Sequence, residues 1–139
     1  MATLVDIVAG PFELVAQLEE ELAPKTCAAF RAMLPWDERL IHVRWSGEGM
    51  WIPMGEAHYD LPWENHTCYP KPGAFIFYPG GVSETEILLA YGEVQFSSKF
   101  GQLPGNQFLT IVEGGEHLPE LGRKVLWEGA QPVSFRLRT

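Results

Sequence analysis

Glycine and proline limit how this chain can fold. The sequence holds 14 glycines and 11 prolines in 139 residues, and both residue types interrupt regular elements and supply turns. Short strands joined by many corners are therefore expected. The length fits one domain, residues 1–139, and leaves little room for a second hydrophobic core.

Composition and charge narrow the class of protein. A hydrophobic content of 46% argues against disorder, and a net charge of -8 would repel the phosphates of nucleic acid. The longest apolar runs, 74–78 and 87–91, are far shorter than the roughly 20 residues of a membrane-spanning helix. No secretory leader is recognised, and Cys27 and Cys68 are expected to be reduced. We therefore expect a cytoplasmic protein that binds neither nucleic acid nor membrane.

Hydrophobic periodicity predicts mostly strands. The segments with strand composition are 4–8, 41–45, 50–52, 74–78, 87–91, 107–112 and 133–137. Residues 12–22 are ambiguous, and propensity alone favours a helix there. Residues 53–73 hold four prolines and predict a long loop.

Two helices are predicted. One runs from Pro24 to Pro35 with Cys27, Phe30 and Leu34 as its buried stripe. The other carries Leu118, Leu121 and Val125 on one face and ends at Gly129. About eight strands with two helices indicate a closed β-barrel plugged by helices.

Several blocks resemble cyclophilins, in the same order along the chain. They are residues 24–32 (Pro-Lys-Thr-Cys-Ala-Ala-Phe-Arg-Ala), His42-Val43-Arg44, Pro72-Gly73 and 110–114 (Thr-Ile-Val-Glu-Gly). Residues 42–47, 83–87 and 105–108 look like a small bacterial family with a cyclophilin-like fold and no established function. That family is similar to the cyclophilin-like part of cucumopine and mikimopine synthases, which condense histidine with a keto acid. The resemblance implies an eight-stranded barrel closed by two helices, with 12–22 as its second strand.

The resemblance also implies where a site would lie. The catalytic arginine of cyclophilins falls on Arg44, whereas their pocket glutamine and phenylalanine fall on Glu86 and Leu88. Met50 and Phe100 fall near two other pocket aromatics, and either Gly105 or Asn106 falls near the pocket histidine. Because most of the proline slot has changed, prolyl isomerase activity is only the alternative prediction.

Arg44 and Glu86 form the sharpest predicted pair. A guanidinium recognises a carboxylate or a polarised carbonyl, and a carboxylate can bind an amine or move protons. We therefore predict a pocket for an amino-acid-like or keto-acid metabolite, with both residues as catalytic candidates. Two other interpretations stay open: the residues form a structural ion pair, or the protein is a non-catalytic binding or interaction module.

Further candidate binding residues surround this pair. They are His42, Glu48, Met50, Tyr78, Ser83, Leu88, Phe100 and Asn106. Glu48 and Ser83 lie in predicted turns, which often carry sites but are also ordinary polar surface. Asn106 can supply amide donors to a pocket or merely form a turn.

The sequence also bears on metal binding and self-association. Glu56, His58 and Asp60 would share one face of an extended segment, but the four histidines lack the paired spacing of zinc motifs, so no metal or cofactor is expected. An exposed patch of Trp51, Tyr59 and Trp63 would favour a homodimer.

Overall fold

The computed structural model describes residues 2–139, which form a β-rich domain with two helices. The helices are α1 (Pro24–Met33) and α2 (Leu118–Glu128), the latter preceded by a 3-10 turn (Gly115–His117). The strands are β1 (Leu4–Ala9), β2 (Phe12–Leu18), β3 (Trp36–His42), β4 (Gly47–Pro53), β5 (His66–Thr67), β6 (Ala74–Tyr78), β7 (Glu86–Val94), β8 (Ser97–Ser98), β9 (Gly101–Gln102), β10 (Gly105–Glu113) and β11 (Gln131–Leu137).

Eight of these strands form a closed antiparallel barrel. Their order is β2-β1-β11-β3-β4-β7-β6-β10, and β10 returns to pair with β2, for example Thr110 with Gln17. β5 adds to the edge of β10, while β8 and β9 pair only with each other. The predicted closed eight-stranded barrel with two helices is therefore confirmed.

Of residues 12–22, only 12–18 form the strand that the resemblance implied, and a turn follows at 20–22. Residues 12–18 form β2, in which Leu14, Ala16 and Leu18 are buried and alternate with more exposed residues. A period of two places these side chains in the barrel interior. The helix favoured by propensity was wrong because β1 and β10 supply partners on both sides of this strand.

Helix α1 closes one end of the barrel with Phe30. The Phe30 ring centroid lies 5.0 Å from that of Phe108 and 5.4 Å from that of Phe135. Cys27 is buried as predicted, but Leu34 is only half-buried. The reason is that α1 ends at Met33 and the backbone of Leu34 is already extended.

Helix α2 closes the other end. Leu118, Leu121 and Val125 are buried, and the helix ends at Gly129 with a φ of 101°, both as predicted. Gly122 lies against the ring of Tyr91, where a Cβ atom would come within 2.3 Å. No helix in the described part of the chain is long and apolar enough to cross a membrane.

A second group of buried residues lies on the outer face of the barrel. It contains Val43, Ile76, Tyr78, Leu88, Ala90, Val94 and Phe96, with Trp51 and Leu103 packed against it, and we call it the outer cluster. Strands β6 and β7 are buried on both faces because residues 95–103 fold back over this outer side. The cluster ends where Tyr78 pairs with Glu86, so it places that carboxyl at the edge of an apolar layer.

The predicted aromatic patch is not formed. Tyr59 is half-buried, with its ring centroid 5.2 Å from that of Phe77, and Trp51 is half-buried in the outer cluster. Only Trp63 is exposed, beside His66. The three side chains have different neighbours because Trp51 lies on β4, whereas Tyr59 and Trp63 lie in the segment between β4 and β5. A homodimer stays a prediction, without support from such a patch.

Candidate functional site

A cleft opens on the outer face of the barrel where β7 begins. Its volume is about 1030 Å³, and it is lined by Trp45, Trp51 and the segments 55–58, 81–86 and 97–100. Binding sites for small molecules are commonly clefts of roughly 300–1,000 Å³. This cleft is therefore the candidate site.

One wall consists of two loops held together by hydrogen bonds. The Met54 N–H donates to the Thr85 carbonyl (2.8 Å), and the Thr85 N–H donates to the Gly55 carbonyl (3.1 Å). The Gly55 N–H donates to the Glu84 carboxylate (3.1 Å), and the Thr85 hydroxyl donates to the Ala57 carbonyl. Such cross-links fix the wall before a ligand arrives, which lowers the entropy lost on binding.

Tyr78 supports the same wall from below. Its side chain is 2% exposed, and its hydroxyl oxygen accepts hydrogen bonds from the Val82 N–H (3.0 Å) and the Ser83 N–H (3.1 Å). The predicted binding residue Tyr78 thus lies next to the cleft and holds the loop that carries Ser83.

The opposite wall is the segment that covers the outer cluster. The Ser97 N–H donates to the Ser46 hydroxyl oxygen (3.1 Å), and the Phe96 N–H donates to the Cys68 carbonyl (2.7 Å). Phe100 is exposed in the turn that follows, with the Lys99 Nζ atom 5.3 Å from its ring centroid. This wall brings a cation and an aromatic ring to the cleft.

Two tryptophans line the cleft between these walls. The rings of Trp45 and Trp51 meet edge to face, with centroids 5.5 Å apart and planes at 88°. Trp45 is 58% exposed, and the Trp51 Nε1 atom is buried without a hydrogen-bond partner among the described residues. The cleft therefore offers large apolar surfaces, while the indole N–H of Trp51 lies buried behind them.

Glu86 is the buried carboxyl of the cleft. It is the first residue of β7, pairs with Pro53 and Tyr78 across the sheet, and is only 5% exposed. Its carboxyl makes no hydrogen bond or ion pair within residues 2–139. Burial, helped by the nearby Glu84 carboxylate, raises the pKa of Glu86 to about 8. The carboxyl is therefore mostly neutral at pH 7.

Arg44 does not lie beside Glu86, so the predicted pair was wrong in its geometry. Arg44 is exposed, it does not line the cleft, and it makes no ion pair in the described part of the chain. It follows Val43, whose N–H bonds Gly49, whereas Glu86 pairs with Pro53. Four residues of strand separate those positions, about 13 Å at 3.3 Å per residue.

His42 and Glu48 lie near Arg44, at the far end of the barrel wall. The His42 Nε2 atom is 2.6 Å from the Tyr91 hydroxyl oxygen, and Glu48 accepts a hydrogen bond from the Glu93 N–H (3.0 Å). Burial and the Arg44 charge lower the pKa of His42, and the Glu48 charge opposes them. These three predicted site residues form a separate polar group outside the cleft.

Three other predicted binding residues are interior. Met50 belongs to the inner core and Leu88 to the outer cluster, and both are 0% exposed. Asn106 is also 0% exposed, and its amide bonds Thr26 and Pro62. Strand alternation at Met50 and Leu88 turns these side chains into packed layers, so none of the three lines the cleft.

Glu86, Ser83 and Phe100 are the predicted residues that the structure brings together in the cleft. Sequence reasoning missed Lys99 and the roles of Trp45 and Trp51. Trp45 ends the predicted strand 41–45 and Trp51 lies in the predicted strand 50–52, on either side of the turn predicted at Glu48, which was a usable signal. Nothing in the periodicity indicated that Lys99 folds back over the barrel.

The cleft contains two of the three side chains that would share one face of an extended segment as metal ligands. Glu56 and His58 line it, whereas Asp60 does not. No group of three or more histidine, cysteine, aspartate or glutamate side chains is placed to hold a metal ion among residues 2–139.

The sequence matches a family described as "Protein of unknown function (DUF3830)" over residues 5–137. The chain belongs to this family. No curated protein matches the sequence. The family description assigns no activity, so the function of this DUF3830 member must be argued from its cleft.

Solved structures that share the fold of this DUF3830 chain include the two described next. McbB, solved in complex with tryptophan, has a TM-score of 0.72 and 19% identity, with coverage of 95% of this chain and 44% of McbB. The hypothetical protein AF2241 from Archaeoglobus fulgidus has a TM-score of 0.64 and 18% identity, with coverage of 99% and 95%. The chain thus spans less than half of McbB, and both likenesses concern the fold alone.

Proposed function

We propose that the protein binds a small amine-bearing metabolite of the amino-acid class in the cleft, with the amine at Glu86. The observation that carries this proposal is a glutamate that is 5% exposed, lines the cleft and has a carboxyl without a protein partner within the described residues. A buried acid without a partner is costly to keep, and such groups cluster at functional sites.

The charges in the cleft favour a cationic ligand group. Glu56 and Glu84 add two exposed carboxylates near Glu86, and Lys99 is the one lysine or arginine among the lining residues. An ammonium beside Glu86 would stabilise the carboxylate and drive its proton into solvent, because opposite charges at short range favour ionisation. A keto acid has no such group, and Arg44 is too distant to bind it.

The amino-acid class is supported by the opposite wall and by the fold. Lys99 can pair with a carboxylate while Glu86 holds the amine, and McbB, which shares the fold, was solved with an amino acid. Glu86 is thus proposed as the binding group for the amine, which it holds as a carboxylate once its own proton has left for solvent.

A thermal-shift panel tests this proposal. The twenty amino acids, their 2-keto acids and simple alkyl amines are added to the wild type, Glu86→Gln and the control Glu38→Gln, whose carboxyl is exposed on β3. A ligand that prefers the folded state raises the melting temperature. At a concentration of 100 times Kd it adds about 2.7 kcal/mol to the free energy of unfolding. We expect amines to stabilise the wild type and Glu38→Gln, with at least a tenfold weaker effect on Glu86→Gln. Stabilisation by keto acids alone, or equally in Glu86→Gln, would contradict the proposal.

A further inference from the structure

We propose that the ligand of the cleft is an arylalkylamine, an amine joined by a short alkyl link to a planar aromatic ring that packs against Trp45, Trp51 and Phe100. This inference rests on the proposed function, since it needs the amine at Glu86. It adds the part of the ligand that the carboxyl does not touch.

The exposed large apolar side chains of the cleft, two of them aromatic, carry the inference. Trp45, Val82 and Phe100 are 58%, 60% and 62% exposed, and all three line the same cleft. Large apolar side chains grouped around a concavity mark a binding surface, whereas single exposed ones need no explanation. Aromatic rings gain from offset or edge-to-face contact with another ring beyond the area they bury.

Strand geometry sets the spacing between the two ends of the ligand. Trp51 pairs with Leu88, and Glu86 lies two residues before Leu88 on the same face of β7. Two residues of strand rise about 7 Å. A ligand whose amine binds at the Glu86 carboxyl therefore needs a short alkyl link along β7 to bring its ring to Trp51.

The size and the edge-to-face geometry favour a ring over a small cation. A cleft of about 1030 Å³ is far larger than an alkyl ammonium needs. The planes of Trp45 and Trp51 lie at 88°, so the edge of one ring faces the other ring. The two rings therefore do not form parallel walls between which a small cation could bind. The remaining exposed surfaces of Trp45 and Phe100 suit a flat ligand.

Calorimetric titration with four probes tests the inference: tryptamine, butylamine, choline and indole-3-propionate. The proteins are the wild type, Trp45→Ala and the matched control Trp127→Ala, whose ring is 78% exposed on α2 and outside the cleft. Both variants remove largely exposed side chains, which limits their effect on folding. For the wild type we expect a Kd for tryptamine at least ~10-fold below that for butylamine or choline, and no measurable binding of the propionate.

The variants separate the two proposals. In Trp45→Ala the tenfold preference should shrink to within about threefold, while Trp127→Ala should keep it in full. Equal binding of butylamine or choline, or an unchanged preference in Trp45→Ala, would overturn the aromatic assignment and leave amine binding at Glu86 in place. If no amine binds the wild type, the proposed function fails together with this inference.

Discussion

Replacing Glu86 with glutamine should stabilise the protein at alkaline pH and change its stability little below about pH 4.5. The folded carboxyl holds its proton up to about pH 8, whereas its ordinary pKa is 4.5. Unfolding between these values releases a proton, so the free energy of unfolding falls as the pH rises and the loss is complete above the folded pKa. Glutamine cannot ionise and does not suffer this loss.

The expected effect is large. A pKa gap of this size corresponds to on the order of 3 to 5 kcal/mol, since each unit is worth about 1.4 kcal/mol. For a domain of this length that is a rise of roughly 10 °C in melting temperature at about pH 8.5. Melting curves of the wild type, Glu86→Gln and Glu38→Gln from about pH 4.5 to pH 9 measure it. If the melting temperatures of Glu86→Gln and wild type stay a constant distance apart across that range, burial does not hold this carboxyl neutral.

Removing the side chain of Asn106 should destabilise the protein strongly. Its amide donates to the Thr26 hydroxyl oxygen (3.0 Å) and the Pro62 carbonyl (2.9 Å), and its oxygen accepts from the Glu64 N–H (3.1 Å). Asn106→Ala leaves these groups without their partner and opens a cavity where the side chain was 0% exposed. We expect a loss of about 2–4 kcal/mol, or roughly 10 °C in melting temperature.

A matched control is available on the surface. Gln102 is exposed, and its side chain takes part in one exposed hydrogen bond with Gln95, so Gln102→Ala should change stability by less than about 0.5 kcal/mol. Equal melting temperatures for Asn106→Ala and Gln102→Ala would show that the buried amide does not tie the loop around Pro62 to α1 and the barrel.

Much of the fold could be predicted from the sequence because the barrel strands obey simple periodicity. The runs 74–78 and 87–91 are apolar at every position, and they form the strands buried on both faces. Periodicity could not decide residues 12–22. Their leucines recur at intervals of four, which fits a helix, and their apolar residues also alternate, which fits the observed strand. Pairing with two neighbouring strands, which is a tertiary effect, decided the outcome.

The site was predictable only in part, for a physical reason. Glu86 and Ser83 follow a turn before a buried strand, which is a local signal, and both line the cleft. Other lining residues come from the segment around Lys99, which crosses the outer face and is held there by hydrogen bonds between distant residues such as Ser46 and Ser97. The resemblance placed Arg44 at the position of a catalytic residue. In the structure Arg44 comes just before β4, whereas Glu86 pairs with Pro53 at the end of β4, so the two residues lie at opposite ends of this strand pair.

We expect an amine to bind at Glu86, whose buried carboxyl is protonated before the ligand arrives and ionised in the complex. Calorimetry with the best-binding amine of the panel, at pH 7 in two buffers of different ionisation enthalpy, tests it most directly. Because the pKa of free Glu86 is about 8 and an ammonium would lower it well below 7, we expect the release of close to one proton per ligand bound. Glu86→Gln should release none. Binding of the amine to the wild type with no proton release would contradict the account.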